Sequence, residues 1–442
     1  MSSQPAEALD YQPQSDTREP GPSYKWWVVF MLWFVCFLNY ADRQAISAIF
    51  PKLEQEFGFS KTQLGLIGSA FMWVYAAGAP LAGLIGDRAR RKDLILGGCM
   101  FWSFVTVITG KCANLWQFIT VRASEGFGET FYFPASMSLV SDYHTPRTRS
   151  KALSFHQSSV YVGTVAGSWI AALLAQHWGW RSGFYLFGSA GMVLAVVLYF
   201  LLREPRRGQS EQSINATPLP PLPVRQCLRL VLVNRTANLL MLAFVGANFV
   251  ATIFLAWAPT FLYEKFHFGL AAAGLSGTVF IQAASAVGAP LGGMAADWLA
   301  RRIAGGRMIV QAFGLLSGAA FVFFVGATAY VSTLLVTMVC FGFCKGLYDS
   351  NIFASLYDTV EPRARSTAAG FMNAIGWAGG ALGPVAVGYF ATHGKYGSEV
   401  ANMSHAISWA AGVYVVAGLI LVIASLSMVR TSSRHRNAEE QL

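Results

Sequence analysis

Long apolar runs alternate along this chain with short polar segments. Twelve such runs fall near residues 25–50, 61–85, 93–112, 114–140, 150–175, 182–202, 235–262, 270–296, 307–329, 331–357, 366–391 and 404–429. As a helix, each is about long enough to cross roughly 30 Å of hydrocarbon. The longest interruption lies between the sixth and seventh runs. It carries Arg203, Pro205, Arg206 and Arg207, then Pro218, Pro220, Pro221 and Pro223, which is linker chemistry. The pattern predicts an all-α membrane protein of twelve transmembrane helices in two pseudo-symmetric six-helix bundles. The bundles cover 24–202 and 234–429, joined by a linker at 203–233 and flanked by polar tails at 1–23 and 430–442. The first tail lacks a basic segment followed by a small-residue cleavage site, so it reads as a tail and not a signal peptide.

The two halves repeat. Gly78-Ala-Pro-Leu-Ala-Gly83, leading to Asp87, recurs as Gly288-Ala-Pro-Leu-Gly-Gly293, leading to Asp297, at an offset of 210. Asp142-x3-Pro146-Arg147-x-Arg149-Ser150 recurs as Asp358-x3-Pro362-Arg363-x-Arg365-Ser366, at an offset of 216. Both copies run in the same direction, so the repeat is parallel, about an axis along the membrane normal. Such repeats hold a site near the midplane and expose it alternately to the two sides.

Only 12% of residues are charged, against about 25% in a typical soluble domain. The net charge of +10 sits in short loops between apolar runs, and there is no zinc spacing, so neither nucleic acid nor a metal is the expected partner. Counted by side, 23 Lys and Arg fall on the side of the termini, 6 on the opposite side and 3 within spans, out of 32. The positive-inside rule then places both termini in the cytoplasm, which an even number of spans requires. The six cysteines form no CxxC pair and read as small hydrophobes within helices.

Seven ionisable residues fall inside spans: Asp42, Arg43, Arg122, Glu125, Glu129, Lys345 and Asp349. Each costs roughly 2.5–3.5 kcal/mol on insertion scales if it faces lipid, so each is expected to face the interior with a partner. At 100° per residue, Arg122, Glu125 and Glu129 share one stripe, and Lys345 and Asp349, four apart, share a face. Asp42 and Arg43 are adjacent and are expected to point apart. Under the 216 offset, Gly126-Phe127-x-Glu129-x-x-Tyr132 aligns with Gly342-Phe343-x-Lys345-x-x-Tyr348, so a base stands opposite an acid; Gln157 aligns with Asn373. For any one of these charges the competing reading is a plain ion pair between helices, and for Lys345 that reading is a bridge to Asp349. His156, beside Gln157, is expected to be hydrogen-bonded and nothing more.

Gly83-x3-Asp87-Arg88-x-x-Arg91-Lys92 resembles the cytoplasmic 2–3 loop signature of the major facilitator superfamily, and the second copy keeps Asp297 and Arg301-Arg302. The resemblance implies a cytoplasmic gate made from these residues. Asn39-Tyr40-x-Asp42-Arg43, with Arg122, Glu129 and Phe133-Pro134-Ala135, resembles the anion:cation symporter branch, whose members import sugar acids and other carboxylates with protons. That implies Asp42 and Glu129 as proton-coupling acids, Arg43 as the anion contact and Arg122 as the group coupling occupancy to Glu129. Arg203-Glu204-Pro205-Arg206-Arg207-Gly208 and Gly128-Glu129 match the spinster-type branch nearly as well, and that branch handles lysolipids and sphingoid lipids. Binding or coupling roles are expected at Asn39, Tyr40, Glu125, Tyr132, Gln157, Lys345, Tyr348, Asp349 and Asn373.

A channel would want polar rings across several helices, whereas these charges concentrate in one half. A membrane enzyme would want a nucleophile–base or metal constellation at the membrane face. No Gly-x4-Gly-Lys-Ser/Thr stretch exists, so ATP is not the direct driver, and no cofactor is expected. The expectation is a monomeric secondary transporter in a bacterial inner membrane, with an anion or anionic amphiphile and protons as its partners.

Overall fold

The computed structural model describes residues 23–86, 89–205, 224–361 and 364–439, and among these it is helical with no strand. The first half comprises α1 (Tyr24–Ala48), α2 (Phe50–Phe57), α3 (Lys61–Gly86), α4 (Arg91–Thr109), α5 (Leu115–Thr130), α6 (Tyr132–Tyr143), α7 (Pro146–His177) and α8 (Arg181–Leu201). The second comprises α9 (Val224–Val233), α10 (Arg235–Lys265), α11 (Leu270–Ala300), α12 (Gly306–Ala327), α13 (Val331–Asp349), α14 (Ile352–Thr359), α15 (Arg365–Gly380), α16 (Leu382–His393) and α17 (Glu399–Glu439). Asp87, Arg88 and the linker prolines lie outside the described residues; Gly83 falls in the last turn of α3. Two elements differ from the sequence reading. The linker ends in a helix, α9, and α17 continues through the polar C-terminal stretch to Glu439.

Eleven helical stretches among the described residues are long and apolar enough to cross a membrane. Residues 115–143 do not join them. The reason is charge and not the break, since α5 carries Arg122, Glu125 and Glu129 whereas the equally broken α15–α16 stretch qualifies. The break at Phe131 has a local cause: Pro134 has no N–H to offer the Thr130 carbonyl four residues back. Pro384 acts alike at the α15–α16 break. There the freed carbonyls find other donors, since Thr252 Oγ1 donates to Gly380 O at 2.6 Å and Ser69 Oγ to Ala381 O at 2.5 Å. The α13–α14 break has no proline. Its Asn351 amide donates instead to Gly292 O and Leu347 O at 3.1 and 3.3 Å, competing with the helix ladder.

The repeat extends to individual crossings. Gly163 and Gly167 of α7 pack against the backbone of Phe37 and Ala41 on α1; Gly383 of α16 packs against the Phe249 carbonyl on α10, and Gly379 against Val245. Gly126 meets the Phe71 carbonyl, and Gly342 meets the Ile281 carbonyl. The glycines of each pair are 216 apart, and the residues they meet are 208 apart on α1 and α10 and 210 apart on α3 and α11. A β-carbon at Gly126 or Gly342 would collide with backbone, which has no rotamer to yield. Helix neighbours repeat as well: α1 packs on α7 and α10 on α15, α3 on α5 and α11 on α13, α4 on α8 and α12 on α17. Between the halves, α3 lies against α15 and α16, and α7 lies against α11.

Candidate functional site

The α1, α4 and α5 helices bring the charges of the first half together. Arg43 pairs with Glu129, its Nε donating to Oε2 at 3.1 Å, and its Nη2 reaches Asn39 Oδ1 at 3.4 Å. Arg122 pairs with Glu125 one turn along α5 and donates to the Arg43 carbonyl at 3.4 Å. Asp42 accepts a hydrogen bond from Thr106 Oγ1 at 3.2 Å. One carboxylate oxygen from each of Asp42, Glu125 and Glu129 lies within 4.8 Å of the others, and all three residues are buried. Arg122 holds Glu125 in this conformation, while Glu129 pairs with Arg43. One expectation is corrected. Asp42 and Arg43 do not point apart, because the long arginine side chain reaches back to the acids that Asp42 already faces.

The cluster contains three carboxylates and two guanidinium groups. With every group ionised it would carry one net negative charge in a site nearly closed to water. Asp42 Oδ1, Glu125 Oε1 and Glu129 Oε1 each lack a hydrogen-bond partner among the described residues. Three such donor atoms are what a small cation would use, but the two arginines already meet all but one unit of the negative charge.

Arg43 also sits among aromatic rings. Its guanidinium carbon lies 4.6 Å from the ring centre of Tyr40, 4.4 Å from Phe71, 5.3 Å from Tyr75 and 5.4 Å from Trp377, within cation–π range. Trp377 belongs to the second half and meets Tyr75 edge-on at 5.5 Å. Asn373, one turn before Trp377, lies beside the Tyr75 hydroxyl. Apart from Tyr40, sequence reasoning missed these rings and Thr106. The i, i+4 spacing of Phe71 with Tyr75 and of Asn373 with Trp377 carries the signal, since both pairs mark one face of helices that meet at the seam.

The second half contributes less charge. Lys345 pairs with Asp349 on α13, the bridge the i, i+4 spacing allowed. Their side chains are 16% and 35% exposed, against 0% for Glu129 and 1% for Glu125. Tyr161 of α7 faces this pair from the first half. Tyr132 and Tyr348 do not enter the site. Tyr132 is buried with its hydroxyl donating to Leu32 O at 2.9 Å and lying 3.0 Å from His156 Nε2, so His156 is hydrogen-bonded as expected. Tyr348 is buried in the core of the second half, on a helix packed between α11 and α12. Gln157 is half-buried on α7.

At the end nearest the linker, Arg91 is anchored by Asp142, by Glu204 at 3.0 Å, by Ser138 at 3.2 Å and by the Pro205 carbonyl at 3.1 Å; the Lys92 backbone N–H donates to Glu204 at 2.8 Å. In the second copy Asp297 pairs with Arg307 at 2.7 Å, and Arg307 also reaches Asp358 at 3.0 Å. Arg301, expected as part of the gate, is exposed. Arg307 is the 216-offset counterpart of Arg91, as Asp358 is of Asp142. At the far end, where α1 stops and α3 starts, hydrogen bonds join the halves. Lys61 is buried between Glu54, at 2.5 Å, and Glu264 of α10. Gln44 donates to Leu255 O at 2.6 Å, Ser168 to Gly274 O at 2.8 Å and Trp257 to Pro384 O at 2.9 Å, the last bond bracing α10 on α16.

A helical membrane protein of two like halves that buries a charge cluster in one of them, against an aromatic ring of the other, and seals one end of the seam, has the build of a transporter. The sequence profile of the Major Facilitator Superfamily matches residues 32–384 and, in a second overlapping match, 283–441, and the chain belongs to that family. It is 28% identical to the chloroplastic sodium-dependent phosphate transport protein 1 of Arabidopsis thaliana over 90% of this chain and 78% of that one. It is 26% identical to the probable L-galactonate transporter of Escherichia coli over 82% of each. Spinster proteins are also among its relatives. In fold it resembles a bacterial homologue of the human lysosomal transporter Spinster, solved in an inward-facing and unoccupied conformation. The TM-score is 0.79 at 21% identity, covering 93% of this chain and 99% of that one.

Proposed function

We propose that this protein is a proton-coupled symporter of a small organic anion, a sugar acid or other carboxylate, working by alternating access. One observation carries the reading: three buried carboxylates face two arginines, leaving one negative charge without a fixed partner. Burial penalises that charge, so the cluster gains by taking a proton. A protonated carboxyl also acquires an O–H that can donate to one of the unpartnered carboxylate oxygens beside it. With Lys345 and Asp349 included, four acids stand against three bases. Every base is already engaged, so an anion that enters must displace a resident carboxylate. A proton taken up by an acid of the site offsets the charge the anion brings, and that coupling makes the anion and the proton travel together. Asp42 and Glu129 are the proton carriers in this reading; Arg43, held by Glu129, links the cluster through Trp377 to the other half.

In this reading the chain crosses the membrane twelve times, with residues 115–143 as the fourth span, their charges turned inward and satisfied by neighbours. Residues 24–202 and 234–429 form the two bundles, both termini are cytoplasmic, and the protein works as a monomer in a bacterial inner membrane. The far-end bonds then lie outside, so the conformation is inward-facing, like the similar solved structure. The Arg91 and Arg307 clusters hold the cytoplasmic ends of their own bundles, with Gly83, Asp87, Arg88 and Lys92 completing the first gate.

A second reading, spinster-like transport of lysolipid or sphingoid amphiphiles, is favoured by one feature. Glu204, in the Arg203-Glu204-Pro205 stretch that resembles that branch, is engaged with Arg91. Uptake into proteoliposomes under an imposed pH gradient separates the two, with L-galactonate and a lysophospholipid as parallel substrates. Under the main reading L-galactonate accumulates in wild type, and Glu129→Gln abolishes accumulation while keeping counterflow exchange. Intact pH-driven uptake by that variant would overturn the assignment of Glu129.

A further inference from the structure

We propose that the carboxylate of the substrate docks on Lys345 in the second half, by displacing Asp349, rather than on Arg43. The inference rests on the transport reading only in expecting an anion. Three observations favour this docking point. Lys345 is the base whose resident carboxylate is the most exposed of those paired in the site: Asp349 is 35% exposed, whereas Glu129 and Glu125 are closed off. Asp349 can swing into water and stay solvated; Glu129 or Glu125 released from its arginine would be a bare charge in a dry site. An incoming carboxylate therefore loses least by competing at Lys345.

The surroundings of Lys345 also suit an anionic polyol. Lys345 borders a small gap, with room for about one water, together with Thr278 and Gln282 of α11 and an apolar wall of Phe254, Ile281 and Phe341. The Gln282 side chain has no hydrogen-bond partner among the described residues, and Tyr161 faces the pair from α7. An ammonium takes a carboxylate as a point charge. A free amide and a phenol beside it can pair with hydroxyl groups, and the apolar wall excludes water.

The position also gives the docking step a consequence. Lys345 is the counterpart of Glu129 under the 216 offset. The anion would bind in one half and the proton in the other, with the displaced Asp349 adding a negative charge to the shared cavity. Closure around the substrate would bring both halves together on one neutral load.

The test is equilibrium binding to the full-length protein in lipid nanodiscs, with L-galactonate, inorganic phosphate and a lysophospholipid as probes. Lys345→Ala should weaken L-galactonate by about tenfold or more, the worth of one charge-assisted contact. Asp349→Asn should tighten it by about threefold or more, because the resident competitor is gone. If Lys345→Ala folds poorly because it strands Asp349, the double variant Lys345→Ala/Asp349→Asn removes both charges and should still lose binding. Gln282→Ala should weaken L-galactonate more than phosphate. Three outcomes would overturn the proposal: unchanged affinity in the double variant, weakened affinity in Asp349→Asn, or no wild-type binding of any probe at about 10 mM, well above the dissociation constants of working sites. Binding that follows the predicted pattern without transport would instead count against the transport reading alone.

Discussion

The two halves share a scaffold down to single backbone contacts, yet they treat charge in opposite ways. In the first half Arg43–Glu129 and Arg122–Glu125 are sealed pairs beside a third acid, Asp42. In the second, Lys345–Asp349 is a single pair, partly exposed. The difference teaches that pseudo-symmetry is a property of packing. Gly126 on Phe71 and Gly342 on Ile281 fix the same helix crossing twice. What the crossing presents to the centre depends on single side chains, and Glu129 against Lys345 is enough to divide the work.

The sharpest way to break this comparison is to strand one charge in each half. Arg122→Leu leaves Glu125 buried and unpaired, and the expected loss of stability is about 3–5 kcal/mol. Lys345→Leu leaves a partly exposed Asp349 and should cost under about 1 kcal/mol. Thermal unfolding in detergent, followed on the purified variants, measures both. Equal losses would mean the two halves hold their charges alike. Next in size come Gly126→Val and Gly342→Val, each expected to cost about 1–3 kcal/mol by forcing two backbones apart. Here the halves should respond equally, and unequal costs would show that the crossings are not equivalent.

A smaller effect belongs to the seam. Lys61 latches α3 to α10 through Glu264 by an ion pair, while the matching start of α11 is held by uncharged hydrogen bonds, the Ala271 backbone N–H on Gln176 at 3.2 Å and Ser168 on Gly274 O at 2.8 Å. Lys61→Met should therefore raise the reaction of a cysteine placed at Thr62 with an external thiol reagent. Gln176→Ala should change the reaction at Leu270→Cys less. The smallest effect is at the rim. Arg181, hydrogen-bonded to Glu56, holds that carboxyl below its ordinary value. A depressed acid contributes stability above its unfolded pKa and loses it as pH falls through the folded value. The pair is 40% and 39% exposed, so Glu56→Gln should cost under about 1 kcal/mol near pH 7 and still less in acid, read from melting at the two pH values.

Much of this was legible in the sequence, and the reasons are local. The apolar runs found the eleven long apolar helical stretches because hydrocarbon thickness sets helix length. Two motif offsets found the repeat, and helical spacing put Arg122, Glu125 and Glu129 on one face. Partner choice was not legible. Whether Glu129 meets Arg122 or Arg43 depends on how closely α1 approaches α5, and that follows from crossings such as Gly163 on Phe37, far from either charge. Arg307 was within reach of the same offset reasoning, since it stands 216 residues after Arg91, but the local Arg301-Arg302 drew attention to the helix end instead. The α9 helix was hidden because ten residues beside a proline-rich linker read as more linker.

The most direct test of the central claim is proton flux measured with anion flux. Wild-type proteoliposomes loaded with a pH-sensitive dye receive L-galactonate outside at equal pH on both sides. The account predicts internal acidification that begins with galactonate entry and disappears in Glu129→Gln, while exchange of internal for external galactonate persists. Galactonate entry in wild type with no change in internal pH would contradict it.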